Sequence, residues 1–280
     1  MINKELAELV RNLPNSPLSE IISYVLASPG KRVRPLILIF SAKAFGCTAS
    51  LAMNAALAIE LVHAASLVHD DILDHGVERR GSPSTFERFG PDAALLAGDY
   101  LISRSIELIS HYNQPVISAF ATACMNMSEG ELMDLSRACS KDDYYQCISK
   151  KTASLFSASA KMGGLIAGAS KEDVTRFEDY GMNLGLGYQV LDDLEEFLGI
   201  DQGKSSKKTS VTLPKICSRQ YEEKAARQMC IKVIDDHSSA AKKNLGESSG
   251  KEEMLARLES IVDEMTCRGL HRCRLQENLC

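Results

Sequence analysis

The sequence contains no tryptophan, and aromatic residues make up only 6% of its 280 residues. Stretches in which β-branched residues alternate with polar ones are also missing, so nothing in the sequence predicts a β-sheet. The longest uninterrupted apolar runs, such as Leu36 to Phe40, are far shorter than the roughly 20 residues that cross a membrane. Charged residues occupy the N-terminal positions where a signal peptide has its apolar core. We therefore expect a soluble protein with no transmembrane segment.

The sequence also lacks an excess of basic residues. It has 32 lysines and arginines against 37 aspartates and glutamates, giving a net charge of −5. Proteins that bind nucleic acid usually carry a basic surplus, so no nucleic-acid partner is expected. The nine cysteines are scattered and odd in number, which excludes a complete disulfide framework. This cysteine usage suits a reducing compartment and predicts a cytoplasmic location.

Helical periodicity is what the sequence does contain. From Leu51 to Leu73, apolar and small residues cover nearly every face of a helix, which indicates a helix buried within a bundle. A polar stretch at Asp235–Lys251 is expected to separate the last helices. No internal repeat or shift in composition marks a boundary, so we predict an all-α fold in a single domain over residues 1–280. Four more long helices are predicted at Asp92–Ile109, Pro115–Leu135, Asp142–Ala167 and Lys171–Leu198.

Two acidic clusters each follow an apolar helical segment. The first reads HDDILD over residues 69–74, and the second reads DDLEE over residues 192–196. At 3.6 residues per turn, Asp70 and Asp74 lie within roughly 40° of each other, and Asp192 and Glu196 repeat that spacing. Two carboxylates ~5 Å apart repel by about 3 kcal/mol at an effective dielectric near 20, so water or a cation must compensate them. Oxygen ligands of this kind suit Mg²⁺ that also binds substrate phosphates, although either cluster alone is equally explained as a solvated helix end.

Basic residues lie close to these clusters in the sequence. The segment GKRVRP at residues 30–35 places three cations beside a turn, and Arg79 and Arg80 add two more. Guanidinium groups bind phosphate oxygens in a bidentate fashion. Each basic segment taken singly is explained as an exposed run of charge, but their combination with the acidic clusters favours a phosphate-bearing ligand.

Taken together, these segments resemble the trans-isoprenyl diphosphate synthases of the polyprenyl synthetase family. The resemblance runs from about Gly30 to Pro214 and implies a bundle of long helices around a central apolar cavity. The matching segments, in the order of the family, are GKRxRP at 30–35, His63, DDxxD at 70–74, RRG at 79–81, GDYL at 98–101, GE at 130–131, KT at 151–152 and GYQVLDD at 187–193.

The resemblance implies a Mg²⁺-dependent, homodimeric prenyltransferase that condenses isopentenyl diphosphate head-to-tail with an allylic diphosphate. A carbocation formed in this reaction survives only where water is excluded, which an apolar helical cavity provides. Among the residues that match the family motifs, Asp70, Asp74 and Asp192 are expected to bind the metal. Isopentenyl diphosphate would bind Lys31, Arg34, His63 and Arg80, and the allylic diphosphate Arg79, Lys151 and Lys204. The candidate catalytic residues are Lys151, Thr152 and Gln189, the last two offering dipoles to the developing cation, while the roles of Glu131 and Asp134 stay open.

The sequence departs from the family pattern within its second acidic motif and in the loop that follows it. Glu196 stands where the family usually has aspartate, and the following loop at residues 203–214 is short and lacks the customary aspartate. Lys207 or Lys208 is a candidate to replace the lysine that the family has there. The geometry of this part of the site is therefore not fixed by the resemblance.

The length of the product depends on how deep the apolar cavity runs from the first acidic motif. Ala65 is the fifth residue before Asp70, at a position where synthases of short products typically carry a large aromatic residue. Each added isoprene unit buries five carbons, worth roughly 3–4 kcal/mol. The resemblance therefore implies a product of geranylgeranyl length or a few units longer.

Two alternatives remain at this point. A class I terpene cyclase would share the all-α fold and an aspartate-rich motif, but it needs no site for isopentenyl diphosphate. A non-catalytic subunit of a heteromeric synthase would be expected to have lost its acidic motifs, and both are present here. The altered second motif and the short loop keep the subunit hypothesis open.

Overall fold

A computed structural model describes residues 1–136, 140–200 and 211–275, the side chain of Leu275 excepted. The described chain is helical nearly throughout, which confirms the predicted all-α class. A two-stranded hairpin, β1 (Glu78–Arg79) and β2 (Ser82–Pro83), and two π-helical turns, Ser149–Ala153 and Asp263–Cys267, interrupt the α-helices. The helices are α1 (Ile2–Arg11), α2 (Pro17–Ala27), α3 (Val33–Ala44), α4 (Ala49–Leu73), α5 (Thr85–Phe89), α6 (Pro91–Ile109), α7 (Gln114–Leu135), α8 (Lys141–Ile148), α9 (Ser154–Ala167), α10 (Lys171–Phe197), α11 (Leu213–Ser218), α12 (Glu223–Gly246), α13 (Glu252–Val262) and α14 (Arg268–Leu275).

The long helices begin and end within two residues of the predicted bounds, with one exception. The segment predicted as a single helix over Asp142–Ala167 contains the π-helical turn Ser149–Ala153 between α8 and α9. The backbone of this turn lies against α7. Their approach is so close that a Cβ added to Gly130 of α7 would lie only 2.2 Å from the backbone nitrogen of Lys151. Such a local widening does not change the composition of a segment, so helical periodicity alone cannot locate it.

The prediction that Asp235–Lys251 separates two helices is correct only for the end of this stretch, because the break between α12 and α13 covers Glu247–Lys251. Helix α12 continues through most of this stretch to Gly246. Three residues of this stretch are buried at helical spacing, Ser238, Ala241 and Leu245, and they continue the buried face from Ile234. This narrow buried stripe is enough to stabilise the helix although the other faces are polar.

The hairpin after α4 forms around a two-residue turn. Arg79 pairs with Ser82, and the two residues between them, Arg80 and Gly81, have φ angles of +54° and +78°. Tight hairpins favour positive φ at both turn positions, a conformation that glycine adopts without cost. The turn therefore presents Arg79 from a strand and Arg80 from the tip.

The described chain divides into two compact units. The first contains residues 1–36 and 53–113, and its centre includes the fully buried alanines and leucine of α4, among them Ala58, Leu61 and Ala65. The second contains residues 37–52 and the described residues from 114 onward. Its largest apolar cluster gathers residues of α8, α10, α11, α12 and α14 around Tyr144, Leu191 and Ile234. The single domain over residues 1–280 stays a prediction.

Helix α4 is long and apolar enough to cross a membrane by length and composition alone. Its most apolar window of 18 residues has a mean hydropathy of 1.7, and 67% of that window is buried inside the protein. A core helix of a soluble protein passes the same test, so this finding is weak support for a membrane span. Counting uninterrupted apolar runs missed it because Glu60 and His63 divide the helix.

Candidate active site

The first acidic motif forms the C-terminal end of α4 in the first unit. The backbone nitrogen of Asp74 donates to the carbonyl oxygen of Asp70 at 2.8 Å, so one helical turn separates the two half-buried carboxylates. Asp71, which follows Asp70 in the sequence, is buried. Its carboxylate accepts two hydrogen bonds from the Arg79 guanidinium, Nε to Oδ2 and Nη2 to Oδ1, each at 2.8 Å. Asp71 is therefore committed to Arg79, and Asp70 and Asp74 are the candidate metal ligands of this motif.

Arg79 is a firmly charged side chain. Burial disfavours its charged form, but the hydrogen-bonded carboxylate of Asp71 and the nearby charges of Asp70 and Asp74 outweigh burial and raise its pKa. The bidentate pair also fixes the plane of the guanidinium. The hairpin and the acidic end of α4 thus place one oriented cation beside the candidate metal ligands.

The residues predicted to bind isopentenyl diphosphate come together in the first unit. Arg34 Nη1 lies 3.1 Å from Nε2 of His63. The guanidinium of Arg80 donates to the carbonyl oxygen of Pro29, and a Cβ on Gly30 would lie 2.8 Å from its Nη1 atom. Lys31 is exposed in the same segment. The structure therefore joins the GKRVRP turn, His63 and the tip of the hairpin into one cationic surface.

Arg32, the middle cation of that turn, has a different role. Its Nη1 lies 2.5 Å from Oε1 of Glu60, and its Nη2 donates to the carbonyl oxygens of Leu26 and Ser28 at 3.2 and 2.8 Å. Only 12% of the Arg32 side chain and 5% of the Glu60 side chain are exposed. Arg32, which is not among the residues expected to bind a diphosphate, therefore stabilises the turn that carries Lys31 and Arg34.

His63 is neutral in this setting. Burial lowers its pKa well below the ordinary value, and the positive charges of Arg34, Arg80, Arg79 and Arg32 lower it further. A neutral imidazole whose Nε2 accepts from Arg34 carries its proton on Nδ1. His63 can therefore orient Arg34 with one nitrogen and donate to an anion with the other.

In the second unit, four side chains form a continuous hydrogen-bonded chain. The hydroxyl of Thr152 donates to Oε1 of Gln189 at 2.7 Å, and Nε2 of Gln189 donates to Oδ1 of Asp193 at 2.9 Å. The Tyr144 hydroxyl donates to Oδ2 of Asp193 at 2.6 Å. Burial raises the pKa of Asp193 to about 7 even though both hydrogen bonds favour its charged form, and the charges of Asp192 and Glu196 add to the rise. Asp192, the residue before Asp193, is half-buried.

Lys151 lies in the π-helical turn Ser149–Ala153 and contacts two carboxylates of α7. Its Nζ lies 2.8 Å from Oδ2 of Asp134 and also pairs with Oε2 of Glu131. All three side chains are partly shielded from water, which strengthens the pairing relative to an exposed ion pair. Glu131 and Asp134, whose roles the sequence left open, hold the ammonium group of Lys151 in place.

The residues of the two acidic motifs fit Mg²⁺. Each motif offers carboxylate oxygens at the C-terminal end of a helix, where the helix dipole also favours a cation. Within the described ranges, no group of three or more His, Cys, Asp or Glu side chains is arranged to hold a metal ion by itself. Mg²⁺ commonly takes only one or two carboxylates and completes its shell with water and substrate phosphates. Asp70, Asp74 and Asp192 are the candidate ligands for this role, while Asp71 accepts from Arg79 and Asp193 accepts from Tyr144 and Gln189.

The remaining residues singled out in the sequence belong to the second acidic motif or to the loop after it. Lys204, Lys207 and Lys208 fall outside the described residues. Glu196, the unusual residue of the second motif, is exposed and lies 3.4 Å from Nζ of Lys215, measured from Oε1.

Sequence reasoning missed three residues at these sites: Asp71, Tyr144 and Asp193. For the two aspartates a signal existed, because adjacent helical residues project about 100° apart and cannot both face one metal. Tyr144 gave no such signal. Its partner Asp193 lies 49 positions away in the sequence, and only the packing of α8 against α10 brings them together.

Known proteins match this chain over most of its length. The model of the family described as polyprenyl synthetase matches residues 15–248. A geranylfarnesyl diphosphate synthase of Methanosarcina mazei is 44% identical over 85% of this chain and 82% of its own. A geranylgeranyl diphosphate synthase of Saccharolobus solfataricus is 33% identical over 88% of this chain and 76% of its own. Among solved structures, a geranyltranstransferase from Methanosarcina mazei is similar with a TM-score of 0.84 and 40% identity, covering 96% of both chains.

Proposed function

Because the chain belongs to the polyprenyl synthetase family and is a trans-prenyl diphosphate synthase, we propose that it condenses isopentenyl diphosphate with an allylic diphosphate. The observation that carries this proposal is the cationic surface formed by Arg34, His63 and Arg80. A terpene cyclase has no use for a second diphosphate site, and the relatives described above are named as synthases. The presence of both acidic motifs likewise speaks against a non-catalytic subunit.

On the isopentenyl side, the chain binds and orients a diphosphate. Arg34 and Arg80 supply guanidinium donors, Lys31 adds a mobile ammonium, and His63 holds Arg34 while donating from Nδ1. Charge-assisted hydrogen bonds of this kind contribute roughly 1.5–3 kcal/mol each. The homoallylic double bond is thereby directed at the allylic carbon.

On the allylic side, the chain stabilises a departing diphosphate. Asp70, Asp74 and Asp192 would hold Mg²⁺, which when bound would supply positive charge that makes the diphosphate a good leaving group. We assign Arg79, Lys151 and Lys204 to the allylic diphosphate as further cations, and the oxygens of Thr152 and Gln189 to the carbon that becomes positive. After the new carbon–carbon bond forms, the released diphosphate takes the proton that restores a double bond.

The product is proposed to be geranylgeranyl diphosphate or a longer homologue. Ala65 is fully buried and small, so it offers no aromatic floor to a growing chain. The two relatives that are 44% and 33% identical to this chain are named for products of geranylfarnesyl and geranylgeranyl length. Changing Ala65 to Tyr is expected to shorten the product, whereas Ala65→Ser, which stays small, is expected to preserve it.

We further propose that the enzyme depends on Mg²⁺, works in the cytoplasm and is a homodimer. Several apolar side chains on α6 and α7 are exposed in the single chain, including Leu96 and Leu132. Exposed apolar residues concentrated on neighbouring turns are typical of an interface between protein chains.

A product assay tests the proposed reaction. The purified protein is incubated with Mg²⁺ and labelled isopentenyl diphosphate, and each allylic primer is offered in turn. The expected result is elongation that requires both substrates and ends at geranylgeranyl length or beyond. Diphosphate release from the primer alone would instead indicate a cyclase. No reaction alone, with activity restored by a partner chain, would indicate a non-catalytic subunit.

A matched pair of variants locates the isopentenyl site. Arg34→Gln removes the guanidinium that His63 orients, and the KM for isopentenyl diphosphate is expected to rise about tenfold or more, with little change for the primer. Arg257→Gln removes a guanidinium that stacks on Phe40 instead and should change neither KM value. Equal effects of Arg34→Gln on both substrates would contradict the assigned site.

A further inference from the structure

The mechanism above uses Thr152 and Gln189 but gives no task to Tyr144 or Asp193. Both are buried, with 2% of Tyr144 and 7% of Asp193 exposed, in the apolar cluster between α8, α10, α11 and α12. Burying a carboxylate is costly unless hydrogen bonds compensate it. A carboxylate kept in this position, next to a candidate metal ligand and bonded to a candidate catalytic amide, calls for a functional explanation.

The donor and acceptor pattern of the network determines which atoms face outward. Oδ1 of Asp193 accepts from Nε2 of Gln189, so the amide group presents its NH₂ to Asp193. Its carbonyl oxygen Oε1 then faces Thr152, which donates its single hydroxyl proton to it. On this side of the network, the lone pairs of Thr152 Oγ1 and Gln189 Oε1 are left for a reacting group.

We propose that Asp193 and Tyr144 are positioning residues that hold Gln189 and Thr152 as a pair of acceptors directed at the allylic cation. This assignment rests on the proposed function and extends it. Tyr144 fixes the plane of the Asp193 carboxylate through Oδ2, and Asp193 fixes the amide of Gln189 through Oδ1. Without this anchoring, the amide can rotate by half a turn and present its NH₂ group, a partial positive charge, to a developing positive charge.

The same contacts argue against Asp193 as a metal ligand. Both of its oxygens already accept short hydrogen bonds, at 2.6 and 2.9 Å. A ligand to Mg²⁺ would also have to expose a side chain that is now buried. Asp192, which is half-buried and precedes it, is the ligand of this pair.

Steady-state kinetics of Tyr144→Phe tests the proposal. The variant keeps the ring and removes only the donor to Asp193, so kcat should fall three- to tenfold while the KM values of both substrates stay within twofold. Tyr145→Phe is the matched control, because this neighbouring hydroxyl makes no hydrogen bond to a described residue. It should leave kcat unchanged.

A double-mutant cycle separates positioning from a general loss of structure. Gln189→Leu removes the amide that Asp193 and Tyr144 orient, so adding Tyr144→Phe to it should lower kcat less than twofold further. The same addition to Arg34→Gln should lower kcat by the full factor, since Arg34 belongs to no part of the network. Factors that multiply in the Gln189→Leu background would overturn the proposal.

Asp193→Asn provides a second variant should Tyr144→Phe fail to fold. Asparagine removes the buried charge and keeps the shape, but it can present either oxygen or NH₂ to Gln189 and no longer forces one orientation. The expected result is a lower kcat with an unchanged Mg²⁺ concentration for half-maximal activity. A large rise in that concentration would make Asp193 a metal ligand and overturn the proposal.

The wild-type chain in the same assay keeps the two proposals apart. A wild type that does not consume isopentenyl diphosphate would overturn the proposed function, and this assignment with it. An active wild type with Tyr144→Phe equal to it would overturn the positioning role alone.

Discussion

Three of the cations predicted to bind phosphate are each oriented by a neighbouring side chain. Asp71 holds Arg79, Asp134 holds Lys151, and the neutral ring of His63 holds Arg34. A guanidinium or ammonium that is already oriented needs little reorganisation when a diphosphate arrives. When a diphosphate replaces the carboxylate partner of Arg79 or Lys151, the cation exchanges one negatively charged partner for another.

Substitutions at His63 distinguish its acceptor role from its shape. His63→Leu removes the acceptor for Arg34, and the KM for isopentenyl diphosphate is expected to rise about tenfold, as for the loss of one hydrogen bond to a charged group. His63→Gln offers an amide oxygen in its place and should raise the KM less than threefold. Equal effects of the two substitutions in a steady-state assay would contradict the role.

His63 also makes stability depend on pH. Its folded-state pKa is lowered, so the unfolded chain takes up a proton near pH 6.5 that the folded chain does not. The contribution of His63 is therefore complete above about pH 6.5 and is lost as the pH falls below that value. Urea unfolding at pH 7.5 and 5.5 should show the wild type losing about 1 kcal/mol more than His63→Gln. An equal loss in both proteins would mean that His63 titrates normally when folded.

The sequence could identify residue types at this scale but not the direction of their side chains. The motifs named Asp70, Asp74, Arg34 and His63 because their types and spacing suit phosphate and metal binding. Arg32 belongs to the same GKRVRP motif as Arg34, yet it turns to Glu60 because of its positive φ angle of +50°. A backbone conformation of this kind is set by packing and has no signature in the motif itself.

The N-terminus of α10, the helix that carries Gln189 and the second acidic motif, is anchored by Asp173. Its carboxylate accepts from the backbone nitrogen and hydroxyl of Ser249 at 2.9 and 2.7 Å and from the hydroxyl of Ser170 at 2.8 Å. Burial alone would raise its pKa, but these hydrogen bonds and the charge of Arg176 outweigh burial and lower it. The charged form is therefore the one that the fold stabilises.

Asp173→Asn is expected to lower the free energy of unfolding by about 1–3 kcal/mol at pH 7, the value of hydrogen bonds to a charged group. A lowered folded-state pKa means that this stabilisation is present above the unfolded-state pKa of about 3.9 and disappears as the pH falls further. The gap between wild type and variant in urea unfolding should therefore shrink below about pH 4. Asp179→Asn, an exposed aspartate on the same helix, is the control and should show no gap.

The contact between α7 and the π-helical turn Ser149–Ala153 requires glycine at position 130. A Cβ there would lie 2.2 Å from the nitrogen and 2.6 Å from the Cα atom of Lys151. Gly130→Ala must therefore displace Lys151 and Thr152, and we expect a loss of about 1–3 kcal/mol in unfolding free energy together with a reduced kcat. Gly246→Ala, where a Cβ meets nothing within 4 Å, is the control and should not destabilise the protein. An unchanged kcat in Gly130→Ala would separate the turn from catalysis.

Element positions follow from the sequence better than their irregularities do. Helices α4, α6, α7 and α10 were predictable because long apolar patterns with turn residues at both ends leave few alternatives. The π-helical turn and the continuation of α12 to Gly246 were not, since both depend on what the neighbouring helix presents. At this scale, packing decides what local pattern leaves open.

For the whole molecule, exposed apolar side chains predict self-association. Leu132 on α7 and Leu51 on α4 are each 64% exposed, but α7 has two further exposed apolar residues within seven positions of Leu132, Met125 and Leu135, whereas the other one on α4, Leu73, lies at the opposite end of that helix. Leu132→Glu is expected to shift the protein in sedimentation velocity from twice the chain mass of 30.6 kDa to the single-chain mass. Leu51→Glu should not. A wild type that sediments as a single chain would contradict the proposed homodimer.

The π-helical turn Ser149–Ala153 has a consequence for how the gene can vary in length. Helix α8, this turn and α9 run without interruption from Lys141 to Ala167, and Thr152 lies within the turn. A π-helical turn holds about one residue more than an α-helical turn, so deleting a single codon there would restore an ordinary α-helix with little rotation of α9. The side chains of the turn itself, Lys151 and Thr152, would then change direction and leave their present partners. The length of this stretch is therefore constrained by the contacts of the turn and not by the packing of α9.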